Sequence, residues 1–199
     1  MTDVAIIDSG GANIASLLYA FERLRAKPVL TTDADAIRSA GRVVLPGVGA
    51  AKDAMQRLTK SGLVDVIREL TQPVLGICLG MQLLCEGSEE EDVECLGIIP
   101  GTATRLSAST HFPVPNMGWC ETNFRAADPM LHGIANGSYF YYLHSYALPL
   151  SDYTLATANH ADEFSAVVGF RNFFAAQFHP ERSSATGARL LQNFLAAPA

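Results

Sequence analysis

The sequence predicts an α/β fold in three layers, a central and mostly parallel sheet flanked by helices, with a smaller antiparallel strand addition. Three observations predict it. Short apolar runs alternate with helical stripes through the first part of the chain, Gly- and Pro-containing turns separate them, and short aromatic or β-branched segments replace the alternation beyond the acidic run Glu89-Glu90-Glu91-Asp92. No repeat, low-complexity tract or long linker divides residues 1–199. One domain is expected.

Val4 to Ile7 is apolar, partly β-branched and bounded by Asp8-Ser9-Gly10-Gly11, so it reads as a buried strand ending in a turn. A helix follows. From Asn13 onward, Ile14, Leu17, Leu18, Phe21 and Leu24 recur at three- and four-residue steps and share one helical face. Pro28 to Leu30 reads as extended, Asp33 to Ala40 as a short helix, Arg42 to Leu45 as a strand, and Ala51 to Leu70 as helical around Gly62. Pro73 to Ile77 is a further buried strand, and Met81, Leu83 and Leu84 look helical, with Cys85 expected on the same helix as a packing residue. Glu89 to Asp92 reads as a solvated loop. After it, Tyr139–Tyr146, Thr154–Ala158, Ala166–Phe170 and Phe173–Phe178 are expected strands, and Ser184–Ala196 a closing helix.

Composition narrows the function classes. The chain is 49% hydrophobic and 17% charged, too apolar for a disordered protein and long enough to bury roughly 70% of its unfolded surface. Its formal charge of −6 argues against a nucleic-acid-binding face, which needs clustered Lys and Arg. Small-molecule or protein partners are expected. The start has no basic leader before a long apolar stretch, and Gly, Pro or charged residues interrupt every run before the ~20 apolar residues a bilayer requires. No membrane association is expected. Cys78, Cys85, Cys95 and Cys120 form no CxxC pair and no zinc-like grouping with the histidines, so reduced thiols, no metal and a cytoplasmic setting are expected.

Gly76-Ile77-Cys78-Leu79-Gly80 places a thiol between two glycines at a strand-to-helix junction. Such a turn holds its central residue at an unfavourable backbone conformation, and small neighbours let strand and helix pass closely while the nucleophile projects above the sheet edge. Unpaired N–H groups at the helix start favour a thiolate. Cys78 is therefore a candidate nucleophile; the alternative is a buried cysteine in a tight turn. A second component stands in Gln177-Phe178-His179-Pro180-Glu181. Pro180 biases His179 toward an extended conformation, in which residues two apart face the same side, so Glu181 can orient the imidazole as it takes a proton from Cys78 and returns it to a leaving amine. The alternative there is a surface turn. The backbone N–H of Leu79 is the first expected oxyanion donor, and a second is sought in Pro46-Gly47-Val48-Gly49, at Val48 or Gly49, although this string also suits an ordinary turn. His111, His132 and His160 fall in expected loops with no matching acid or cysteine. His144 stays open, in the aromatic strip Phe140 to Tyr146.

G-I-C-L-G-M-Q at 76–82 and F-H-P-E at 178–181 resemble the class I, triad-type glutamine amidotransferases. With P-G-V-G at 46–49, S-E-E at 88–90, N-M-G-W at 116–119, H-S-Y at 144–146 and H-P-E-R-S at 179–183, the chain resembles the branch of glutaminase subunits found in imidazole glycerol phosphate synthases. The resemblance implies the three-layer class I glutamine amidotransferase fold and no cofactor. It further implies attack of Cys78 on the glutamine side-chain amide, a γ-glutamyl thioester, release of glutamate, and passage of ammonia to a (β/α)8 barrel cyclase in a heterodimer of histidine biosynthesis. By motif, Gln82, Gly49, Ser145 and Tyr146 hold glutamine, and Asn13 and Trp119 face the cyclase. The chain departs from the usual strings at Ser9 and Ala12 in the first loop, and at Asn116 and Cys120, where histidine and asparagine are usual. Two alternatives stay open: a glutaminase for a different ammonia-using synthase, and a noncatalytic regulatory module that keeps the turn as scaffolding.

Overall fold

The computed structural model describes residues 3–10 and 14–198. Its centre is a nine-stranded sheet. In chain order the elements are β1 (Asp3–Ile7), α1 (Ile14–Arg23), β2 (Lys27–Thr31), α2 (Ala34–Ser39), β3 (Arg42–Gly47), α3 (Ala51–Lys60), α4 (Leu63–Arg68), β4 (Val74–Cys78), α5 (Leu79–Leu84), β5 (Cys85–Ser88), β6 (Val93–Glu94), β7 (Ile99–Arg105), β8 (Asn116–Phe124), β9 (Ser138–His144), β10 (Tyr146–Ala147), β11 (Thr154–His160), β12 (Asp162–Phe170), β13 (Phe173–Ala176) and α6 (Ser184–Ala196). The sheet runs β2-β1-β3-β4-β13-β12-β11-β8-β9, and a second sheet of four strands runs β10-β7-β5-β6.

From β2 to β13 the neighbours are parallel, and from β13 to β9 they are antiparallel. The antiparallel part is thus as extensive as the parallel one. Alternation along β1 explains the layers: Val4 and Ile6 face a core built with α1 and α6, while Ala5 and Ile7 face a second core built with α2 to α5 and the small sheet. Arg42, at the start of β3, donates to the carbonyls of Phe194, Leu195 and Ala197, so it neutralises unpaired acceptors at the C-terminus of α6 and ties that helix to the sheet.

Several expectations shift by a few residues for local reasons. The helical stretch from Ala51 breaks into α3 and α4 because Gly62 adopts φ +67°, a left-handed conformation that a glycine tolerates. Cys85 is not on the helix, which ends at Leu84; it opens β5, where it is fully buried, so its packing role survives the change of element. His160 is no loop residue but ends β11, buried, with Nε2 2.7 Å from the Pro113 carbonyl. The aromatic strip from Tyr139 divides at Ser145: β9 belongs to the large sheet and β10 to the small one. That change of sheet turns Ser145 and Tyr146 toward the end of β4. No helix among the described residues is long and apolar enough to cross a membrane.

Candidate active site

The site forms where β3, β4 and β13, parallel neighbours, end together. β4 passes into α5 with no intervening residue, which forces Cys78 to φ +54° and ψ −111°. That conformation is costly for a residue with a Cβ, by about 1–3 kcal/mol. Close packing of three elements imposes it. A Cβ on Gly80 would lie 1.8 Å from the Leu45 carbonyl oxygen, one on Gly76 2.7 Å from Leu84, and one on Gly47 2.9 Å from Leu79. We therefore expect Gly80→Ala to destabilise the protein by about 3 kcal/mol, measured as a lower urea midpoint, because its obstacle is backbone that cannot rotate away.

His179 enters from the neighbouring strand. β13 pairs Ala176 with Ile77, so the chain leaving β13 passes beside Cys78. His179 itself is extended (φ −98°, ψ 98°), but Pro180–Arg182 form a 3-10 turn. His179 and Glu181 thus meet through that turn and not, as the extended-segment argument has it, along one face of a strand; Pro180 fixes the φ that starts the turn. Imidazole Nδ1 lies 2.9 Å from Glu181 Oε1. Ser183, buried behind them, donates Oγ–H to the His179 carbonyl at 2.7 Å and accepts the Tyr141 N–H at 3.0 Å, fastening the turn to β9.

The thiol of Cys78 donates to the Leu143 carbonyl at 3.5 Å, and the Gln177 amide donates to its sulfur at 3.9 Å. His179 Nε2 is buried without a hydrogen-bond partner among the described residues, as is Glu181 Oε2. An unpaired Nε2 is free to receive or deliver a proton. Burial by itself lowers the His179 pKa, but the adjacent Cys78 side chain and the Glu181 carboxylate outweigh it and raise the value to about 10. The imidazolium is the favoured form at neutral pH.

Cys78, His179 and Glu181 border one cavity of about 280 Å³. Leu79, Val48 and Gly49 border it too. Leu79 is the first residue of α5, so its N–H has no acceptor within the helix. Gly47 is in register with Cys78, which brings the Val48–Gly49 backbone alongside its thiol; Gly49 has φ +91° and open space around its Cα. Gln82, Ser145 and Tyr146 border the same cavity. The Gln82 amide donates to the Tyr146 carbonyl at 2.9 Å and to Gln177 Oε1 at 3.2 Å.

Sequence reasoning missed two residues here. Glu90, read as part of a solvated acidic loop, is half-buried at the cavity wall, with Oε2 accepting the Ala51 N–H at 3.2 Å; the S-E-E string was its signal. Gln177 is fully buried against the sulfur. Trp119 lies away from the cavity wall on the outer face of β8, 52% exposed and edge-on to Tyr141, whose ring also carries the Arg182 guanidinium at 4.4 Å. Asn13 falls outside the described residues. Among the described residues no cluster of three or more His, Cys, Asp or Glu side chains could hold a metal ion.

The glutamine amidotransferase class-I family model matches residues 5–197. The imidazole glycerol phosphate synthase subunit HisH 2 of Legionella pneumophila strain Paris is 50% identical over 192 residues, covering 96% of each chain. The subunit HisH of Xylella fastidiosa strain Temecula1 is 49% identical over 195 residues, 98% of each chain. Among solved structures, one titled "Crystal structure of glutamine amidotransferase" aligns with TM-score 0.76 at 16% identity over 97% of each chain, and PurLQS from Thermotoga maritima with TM-score 0.73 at 19% identity over 98% of this chain and 99% of that one. The structural likeness fixes the three-layer fold. Matched over nearly its whole length by the family model, and built around a thiol at a strand-to-helix turn, the chain belongs to the class-I glutamine amidotransferases.

Proposed function

We propose that this chain is the glutaminase subunit of an imidazole glycerol phosphate synthase, hydrolysing glutamine to glutamate and ammonia for histidine biosynthesis. One observation carries the reading: Cys78, His179 and Glu181 border one cavity in a chain about 50% identical to HisH subunits over nearly its full length. Cys78 gives its thiol proton to His179, and the resulting thiolate attacks the side-chain amide carbon. The tetrahedral oxygen meets the N–H of Leu79 and a second backbone N–H from Val48 or Gly49. His179, held by Glu181, protonates the departing ammonia, then deprotonates the water that releases glutamate from the thioester. Gln82, Ser145 and Tyr146 position glutamine, and Glu90 offers a carboxylate to its α-ammonium group.

The partner in this reading is a (β/α)8 barrel cyclase, and the heterodimer requires a face beside the cavity. Met117, Trp119 and Tyr139, 68%, 52% and 55% exposed, line up across β8 and β9 with Tyr141, next to Arg182 at the cavity rim. Exposed aromatic side chains with an arginine are the composition of a docking face. Asn13 joins that face by motif alone. A cytoplasmic setting suits the four unpaired cysteines, and residues 1–199 act as one domain needing neither cofactor nor metal.

Ammonia made without an acceptor is lost to water, so hydrolysis should wait for the partner. The Val48–Gly49 backbone, with room to turn at Gly49, is the element that would bring the second donor into place. The test is a glutaminase assay on the full chain, alone and with the cyclase and its phosphorylated ribulosyl-formimino nucleotide. Activity should rise at least about tenfold with the liganded partner. Co-purification with a different synthase, and no response to the cyclase, would overturn the assignment.

A further inference from the structure

Six hydrogen bonds run without a gap from β8 to the nucleophile. Cys120 Sγ–H donates to Asn116 Oδ1 at 3.4 Å, and Asn116 Nδ2 lies 3.1 Å from His144 Nε2. His144 Nδ1 lies 2.9 Å from the Tyr146 carbonyl, which also accepts from Gln82 at 2.9 Å; Gln82 donates again to Gln177 Oε1 at 3.2 Å, and Gln177 donates to Cys78 Sγ at 3.9 Å.

Chemistry fixes each direction. A carbonyl only accepts, so His144 carries its proton on Nδ1. Burial, its largest influence, lowers the His144 pKa to about 4, so the ring is neutral and Nε2 accepts from the Asn116 amide. Asn116 then presents its oxygen to Cys120, the only arrangement its two ends permit. Both directions converge on the Tyr146 carbonyl, so the chain of bonds cannot carry a proton through. It can hold position. Asn116, His144, Gln82 and Gln177 are all buried, where an amide left unpaired costs ~1–3 kcal/mol, so moving one member pulls on the next.

We propose that Gln177 is a positioning residue for Cys78, aiming its sulfur through the N–H···S bond, and that Asn116 and His144 set Gln177 through Tyr146 and Gln82. This rests on the glutaminase reading only for its turnover measurements. The network ties the nucleophile to the segment Ser145–Tyr146, which borders the same cavity, so the space in which an amide must fit is set in part by Asn116 and Gln177, which do not border it. It also places Asn116, on the strand that carries Trp119, within the same connected set.

The test compares Gln177→Met, which keeps volume and removes both the donor and the acceptor of the amide, Asn116→Leu, and the two combined. With the cyclase and nucleotide present, Gln177→Met should lower kcat for glutamine about tenfold or more while KM stays within about threefold. Because Asn116 acts through Gln177, the double variant should be no slower than Gln177→Met, whereas independent damage would multiply. A second readout needs no glutamine: the rate at which iodoacetamide alkylates Cys78 at pH 7, followed on its own peptide by mass spectrometry in the chain alone. That rate should fall at least about fivefold in Gln177→Met, since the sulfur loses the N–H that aims it into the cavity. If Gln177→Met fails to fold, Gln177→Glu keeps the acceptor for Gln82 and sets an oxygen against the sulfur; the same losses are expected. Unchanged kcat and alkylation in these variants, or multiplicative losses in the double variant, would overturn the proposal. A wild-type chain with no glutaminase activity but a Gln177-dependent alkylation rate would instead remove the proposed function and leave the positioning role standing.

Discussion

Glutamine hydrolysis falls at least about 10⁴-fold in Cys78→Ala, while the protein folds as before. The thioester requires the sulfur, and no other thiol borders the cavity: Cys85 is fully buried in the core, with burial raising its pKa beyond the reach of neutral pH. Stability should change little, because alanine adopts the same strained φ of +54° with the same Cβ. A further comparison isolates that strain. At most positions Cys→Gly is more damaging than Cys→Ala, because glycine adds chain entropy to the unfolded state. Here glycine is released from a backbone conformation costing about 1–3 kcal/mol, so Cys78→Gly should unfold at a denaturant concentration at least as high as Cys78→Ala. Thermal or urea unfolding of the two inactive variants checks this. A clearly weaker glycine variant would mean that the turn stores no strain, and that the thiol is placed by packing alone.

The steepness of that expected loss reflects how the site is assembled. No residue of the triad is held by sequence neighbours alone. Cys78 is fixed by glycines on three elements, His179 by the end of a parallel strand, and Glu181 by a turn that Ser183 fastens to β9. Such an arrangement brings the reacting groups to one place before substrate arrives, which is where most of the rate advantage of an acyl-transfer site originates.

How far the residues announced this depends on whether their signal was local. The Gly76–Gly80 turn was legible because strand, glycine spacing and helix lie within one short string. The parallel half of the sheet was legible for the same reason, its apolar runs alternating with helical stripes. β7 was not, since Pro100 and Gly101 interrupt it, and its pairing with β5 and β10 is supplied by distant segments. β8 reads N-M-G-W-C-E-T-N-F, whose polar inner residues Asn116 and Thr122 are buried only because His144 and Tyr142 of β9 satisfy them. Glu90 escaped for a related reason: a carboxylate in an acidic run looks solvated until the N-terminus of α3 is brought against it. The pairing of His179 with Glu181 was anticipated, but through the wrong backbone geometry, because Pro180 begins a turn as readily as it ends a strand.

The second large effect concerns Glu181 and alkaline pH. The folded pKa of His179 is raised from 6.5 to about 10, against burial, by Cys78 and Glu181. A raised value means that the folded state holds this proton more tightly than the unfolded chain does. The resulting stability is fully present below pH 6.5 and is lost progressively as pH rises toward 10. In the proposed mechanism catalysis has the same alkaline limit, since the imidazolium is the acid that protonates departing ammonia. Glu181→Gln keeps an oxygen near Nδ1 but removes the charge. The alkaline limb of kcat against pH should therefore move down by about one unit or more, and, because the amide no longer holds the ring as the carboxylate does, kcat should also fall roughly 100-fold on the acid side of that limb with KM little changed. The unfolding free energy of the wild type should decline between pH 7 and pH 10 more steeply than that of the variant, because the variant has less proton affinity to lose. An unmoved alkaline limb in Glu181→Gln would assign the raised pKa to Cys78 alone, and Glu181 would then orient the ring without governing its charge.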